Sequence, residues 1–247
     1  MDWTLASVIF FPALFGGFFQ TVAGFGSGIL LMMILPAFLP ILQAAAISSI
    51  TAIYLTGTLA LSLRDHVDWR SIWLPGLIFL AVSGTAIHIA PYIDTKVLGV
   101  IFGLFLMSLA LWFFMEGRQK RRFRITPARA VGISALTGVT SGWFGLSGPP
   151  MAIYFLATCG EDKKRYLATT QAFFFGVVVF NSIVRVAEGI LTYEMLILSI
   201  WGIAGMILGK KLGLILFNRI NLKGMRTIIH CGLAVSGLLT VVKNLAE

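Results

Sequence analysis

Charge is what this sequence has least of. Only 12% of its 247 residues are Asp, Glu, Lys or Arg, about half of the roughly 25% that a soluble domain carries. No polar stretch runs much past a dozen residues, which leaves no room for a sizeable soluble domain. Cysteine is nearly absent. Cys159 and Cys231 stand in unrelated contexts without metal-ligand spacing, which excludes a disulfide scaffold and a cysteine metal centre. Acids are scarcer than bases, 10 against 19, for a net charge of +9. The basic residues lie in short loops between apolar runs, as cytoplasmic loops of membrane proteins do, so the balance does not point to nucleic acid. A basic n-region is missing from Met1-Asp2-Trp3-Thr4-Leu5, and the apolar run behind it outlasts a signal h-region, so no cleavage is expected.

What remains is apolar: 58% hydrophobic residues and a mean hydropathy of +0.92. Several windows approach the roughly 20 residues that span a bilayer. The expected fold class is all-α, a polytopic helical membrane protein. A first element over Leu5–Leu39 is interrupted at Gly24–Gly28, and helices over Ala44–Leu63, Ser71–Tyr92 and Val97–Met115 follow. The basic stretch Glu116–Pro127 reads as a cytoplasmic linker. The order then repeats. A broken element covers Ala128–Ala157, with helices at Tyr166–Ala187 and Tyr193–Phe217 and a last one, after the loop Asn218–Lys223, ending near Val242. Gly205, Gly209 and Gly213 form a tandem small-residue seam suited to close helix packing. The division is thus a first repeat, 1–115, a linker, 116–127, and a second repeat, 128–247, in one membrane domain.

The two interruptions match. Shifted by 120 residues, Ser27 falls on Ser147, Gly28 on Gly148 and Thr21 on Ser141. Pro149 and Pro150 are unsuited to a helix interior but suited to a first turn, so one helix should end near Gly142 and another begin near Ser147. Basic-residue placement decides how the broken elements lie. If each crosses once, the 19 lysines and arginines split 10 to 9 across the membrane; if both are re-entrant, 16 to 3. The bias of cytoplasmic loops favours the second arrangement. Each half then has three crossings and the halves are inverted repeats, with the C-terminus outside.

Broken helices at membrane depth expose N–H groups and a positive dipole end, which suit an oxyanion. The expected binding residues are Gly24, Gly26, Ser27 and Gly28 in the first break and Gly145, Ser147 and Gly148 in the second. Gln20, Ser49, Thr51, Thr170, Gln171 and Asn181 are candidates to complete the pocket, with Ser48 and Thr169 beside them. Arg185, at a helix end one turn after Asn181, could attract an anion or pair with Glu188; Arg64 has the same ambiguity beside Asp65 and Asp68. His88 and His230 are expected to be structural. No metal site or cofactor is expected.

The glycine–serine breaks Gly24-Phe25-Gly26-Ser27-Gly28 and Phe144-Gly145-Leu146-Ser147-Gly148-Pro149-Pro150 resemble those of the sulfite exporter TauE/SafE family, also called the toluenesulfonate uptake permease family, over essentially the whole chain. The resemblance implies a multi-pass transporter of the bacterial inner membrane, working by alternating access on sulfite or organosulfonates such as sulfoacetate; the residues alone imply only a small anion. Export of a monoanion gains about 2.3 kcal/mol per 100 mV from a negative interior, so it needs no coupled ion, whereas uptake would. A coupling proton or sodium ion and a homodimer stay open. Two other readings compete. One is an anion channel. The other is an intramembrane serine protease, because Gly145-Leu146-Ser147-Gly148 fits the rhomboid Gly-x-Ser-Gly pattern with His230 as base. Against the protease, Ser27-Gly28 repeats the pattern where a nucleophile would have no use.

Overall fold

The computed structural model describes residues 3–116, 126–160 and 162–216, with positions 237, 238, 240–242 and 244. Most of the basic linker, the loop Asn218–Lys223, His230, Cys231 and much of the expected last helix lie outside the described residues. Within them the chain is all-α: α1 (Trp3–Ala23), α2 (Ser27–Ile34), α3 (Ile41–Ser62), α4 (Trp69–Ile89), α5 (Thr95–Glu116), α6 (Pro127–Phe144), α7 (Gly148–Cys159), α8 (Lys163–Ala187) and α9 (Tyr193–Leu216), with short 3-10 turns after α2, α3 and α4. Among the described residues, five stretches are long and apolar enough to cross a bilayer: α1, α3, α4 with its turn, α8 and α9. The chain is therefore a polytopic helical membrane protein.

Local chemistry sets the helix ends. Asp162 accepts the N–H groups of Lys164 and Arg165, both at 3.0 Å, and so starts α8. Thr126 caps α6, whose first residue is Pro127. Inside α4, Pro75 takes away the N–H that would serve the Ser71 carbonyl, and the Tyr154 hydroxyl donates to that carbonyl at 3.4 Å.

Small residues set the packing. The strip Gly205, Gly209, Gly213 lies directly on the α1 backbone, at Phe10, Leu14 and Phe18, and Gly17 of α1 takes Met206 in return. The rising numbers on both sides show that α1 and α9 run parallel. On the opposite flank, Gly138 of α6 meets Phe79 and Val82 of α4, and Gly142 meets Ser83 and Ala86, so α4 and α6 also run parallel. Between these pairs α3 and α8 cross the centre in opposite directions, Gly57 against Phe175 and Ser49 bonded to Arg185. Gly103 of α5 lies against the carbonyl of Gly237, one of the described positions near the C-terminus.

Polar groups fasten α4 to α8 at both ends. At one end Arg165 bonds the Asp68 carboxylate at 2.5 Å, Ser71 donates to it at 2.7 Å, and the Asp68 N–H donates to Thr169 at 3.0 Å. At the other, His88 meets Glu188 at 2.8 Å. Glu188 is thus the partner of His88, not of Arg185. The Ser71 hydroxyl, followed by Arg165, holds the Asp68 carboxyl below the ordinary aspartate range, with burial opposing. A carboxyl lowered by folding adds stability that is complete above its unfolded pKa, about 3.9, and lost as pH falls through the folded value. Asp68→Asn should therefore melt lower than the native protein at neutral pH, and the gap should close on acidification below about pH 4. Thermal unfolding in detergent across pH measures it, and a gap that stays constant with pH would refute the assignment.

Candidate functional site at two helix breaks

The first break begins where α1 ends. Gly26 has φ of 121°, and a Cβ there would lie 2.5 Å from the Phe19 ring, so only glycine fits. Beyond it the chain doubles back: Ser27 packs against Gly16, eleven residues earlier. The second break is closed by Gly145, at φ 66°, whose N–H bonds the Ser141 carbonyl at 2.9 Å. Thr140 latches it, donating its hydroxyl to the Leu146 carbonyl at 2.9 Å while its own carbonyl accepts the Leu146 N–H at 3.3 Å. Then α7 turns back along α6, carrying Tyr154 to Ser71 at the far end of α4. The helix was expected to end near Gly142 but continues to Phe144. Gly142 is needed instead for the close approach of Ser83 and Ala86.

The serines align in sequence but not in helix position. Ser27 is the first residue of α2, behind the cap Gly26, whereas Ser147 is itself the cap of α7. A capping serine normally accepts the N–H groups of the second or third helical residue. Here those residues are Pro149 and Pro150, which have none, and Ser147 makes no capping bond. Its hydroxyl is thereby released from structural duty, and Gly148 supplies the one N–H of that first turn. In α2 the Ser27 N–H and hydroxyl both go to the Gln20 side-chain oxygen, which leaves the N–H groups of Gly28 and Ile29 without an intrahelical partner.

The breaks abut. A Cβ on Gly28 would lie 3.2 Å from the Gly145 carbonyl oxygen, and Phe25 packs on Gly148. Where they meet is a cavity of about 40 Å³. A water molecule needs about 10–15 Å³ by the same measure, so the space suits a solute of a few heavy atoms. Nine of the expected residues line it: Gln20, Gly26, Ser27, Gly28, Ser48, Ser49, Gly145, Ser147 and Gly148. Ile29 of α2, Leu146 of the second break, Ala52 and Thr56 of α3 and Phe174 and Val178 of α8 complete the wall.

Four expected residues stand behind the wall, where they hold the breaks. Gln171 donates to the Gly24 carbonyl at 2.5 Å and accepts from Gln20 at 3.1 Å. Asn181 donates to the Ser141 hydroxyl at 2.9 Å and accepts from Ser83 at 3.0 Å. Arg185, 1% exposed, donates to Ser49 at 2.8 Å and to the carbonyls of Ser141 and Gly142 at 3.1 and 2.8 Å. Gly24 itself serves as acceptor. Thr51 and Thr170 lie elsewhere, Thr51 in the notch left by Gly202 of α9, and the hydroxyls of both are buried without a partner. Arg64 is exposed beside Asp65 at the end of α3. Thr56 and the latch Thr140 were not among the expected residues. Thr56 stands one turn past Ala52, on the face of α3 that presents Ser48 and Ser49, and that spacing was the available signal.

Comparison with known proteins bears on what such a site holds. The family model of the sulfite exporter TauE/SafE matches residues 9–240. A probable membrane transporter protein of Methanocaldococcus jannaschii is 26% identical over 192 residues, covering 70% of this chain and 68% of its own. A probable sulfite/organosulfonate exporter TauE of Cupriavidus necator is 25% identical over 146 residues, covering 57% and 56%. No solved structure matches.

Proposed function

We propose that this chain, which belongs to the sulfite exporter TauE/SafE family, carries a small sulfur oxyanion, sulfite or a short sulfonate, out of the cell across the inner membrane. Membership makes it a membrane transporter. The observation that carries the finer reading is the cavity between the breaks, walled by Ser48, Ser49 and Ser147 and by the N-terminal turns of α2 and α7, with the N–H groups of Gly28, Ile29 and Gly148. Such donors suit a negative solute. Room for only a few heavy atoms favours a carrier that holds one anion at a time over a channel. The protease reading needs His230, which lies outside the described residues.

The halves, 1–115 and 128–247, act as inverted repeats about this cavity. Supporting this, α1 and α9 run parallel, as do α4 and α6, while the counterparts α3 and α8 run opposite ways. Alternating access would then be a rocking of one half against the other. A C-terminal fluorescent fusion should stay dark in the periplasm, and fluorescence typical of the cytoplasm would contradict the inverted arrangement. No coupled ion is needed for export of a monoanion along the potential, so dissipating the potential should slow efflux from loaded vesicles.

Ser147→Ala tests the site most cleanly, because that hydroxyl caps nothing. A hydrogen bond to a charged group contributes about 1.5–3 kcal/mol, so sulfite affinity by calorimetry on purified protein should fall roughly 10- to 100-fold with the melting temperature unchanged. Phosphate and acetate serve as controls. Unaltered affinity, or a protein that binds no sulfur anion at all, would end the proposal.

A further inference from the structure

We propose that the site selects singly charged anions, and that Arg185 sets this choice from behind Ser49 as a fixed counter-charge. The inference rests on the reading of the cavity as an anion site and adds its charge rule. Arg185 is the largest fully buried side chain described, and its three hydrogen bonds all go to neutral oxygens, Ser49 Oγ, Ser141 O and Gly142 O. Among the described residues no carboxylate reaches it within ion-pair distance. Glu188, one turn further along α8, is engaged by His88 of α4. The elements packed around the guanidinium present only neutral groups at contact distance: Ser49 from α3, the Ser141 and Gly142 carbonyls from α6, and Asn181 with Ser83 beside them. The other described acids, Asp65, Asp68, Asp94, Glu116, Asp162 and Glu194, stand at helix ends, and no acid lines the cavity.

A buried charge needs a partner. The protein supplies one positive charge near the cavity and, among the described residues, no negative one, so a solute with a single negative charge completes the balance and a second negative charge goes uncompensated. Ser49 is the bridge. It lines the cavity, accepts from Arg185 Nη1 at 2.8 Å and at present donates to the Ala45 carbonyl at 2.9 Å. Turned inward, the same O–H donates to the anion while the guanidinium polarises it. Arg185 is thus a positioning and charge-setting residue with no contact to the solute.

The test compares anions of similar size and different charge on the purified full chain. Methanesulfonate, a monoanion throughout, should bind with an affinity independent of pH, which also controls for titration of His88 and Glu188. Sulfate should bind at least ten-fold more weakly. The apparent affinity for sulfite should fall about ten-fold per pH unit above the pH at which hydrogensulfite loses its one proton. Arg185→Lys should keep methanesulfonate affinity close to native and Arg185→Gln should lower it about ten-fold or more, because the buried monoanion then has no counter-charge; the native-protein series decides the matter if Arg185→Gln does not fold. Sulfate bound as tightly as methanesulfonate, or sulfite bound better as pH rises, would overturn the charge rule and leave the anion site standing. If none of the three binds, both readings fall.

Discussion

Gly209→Leu is expected to yield no folded protein, and Gly209→Ala to melt well below the native chain. At this position α9 rests on the backbone of α1: a Cβ would overlap the Leu14 carbonyl oxygen and press on the Phe18 nitrogen. Backbone cannot move aside as a flexible side chain can, so the helices must part. In a membrane no hydrophobic force between helices compensates for lost contact; close packing is the main attraction. Overpacking typically costs 1–3 kcal/mol, occasionally more, and a helical alanine returns only about 1 kcal/mol over glycine. Gly132→Ala and Gly176→Ala provide the contrast, since nothing lies within 4 Å of a Cβ at either; both should be neutral or slightly stabilising. Thermal unfolding with size exclusion in detergent compares the set. Equal melting of Gly209→Ala and Gly132→Ala would mean that α1 and α9 do not meet as described.

The stretches that cross the membrane were legible because apolar length is a local property. The helix expected over Ala44–Leu63 is found at Ile41–Ser62, and the breaks fall at Gly24–Gly26 and Gly145. The site was legible in part, for a reason visible in α8. Gln171, Phe174, Val178 and Arg185 recur along one stripe; the middle two face the cavity while the outer two hold the breaks, about 21 Å apart along the helix. Thr170, next to Gln171 in sequence, points about 100° away, and Thr51 stands off the stripe of Ser48, Ala52 and Thr56 in the same way. Their hydroxyls, on the helices that follow the breaks, suggested both, and side-chain type alone does not say which face of a helix a residue occupies. The partner of Glu188 was not legible. His88 is 100 positions distant, whereas Arg185 is three residues away, and local spacing carries no record of a contact made across the fold. Gly142 misled for a related cause, since a glycine that admits another helix and a glycine that ends one read alike.

The amide pair that holds the first break should show strong coupling in a double-mutant cycle. Gln171→Leu strands the Gly24 carbonyl and the Gln20 amide hydrogens; Gln20→Leu strands the Ser27 N–H and hydroxyl and the Gln171 oxygen. Both side chains are buried, and each polar group left unpaired costs about 1–3 kcal/mol. Either single change should therefore lower stability by about 2 kcal/mol or more and weaken sulfite binding roughly ten-fold, since Gly26, Ser27 and Gly28 line the cavity that the pair supports. With both replaced, the shared contact is lost once instead of twice, and leucines meet leucines. The double variant should then cost less than the two singles together, by about 1–2 kcal/mol. That exceeds the average of about 0.6 kcal/mol for hydrogen bonds between membrane helices, because each single change also strands the buried amide group of the other glutamine. Additive losses would mean that the two amides do not meet and that α8 does not hold the first break.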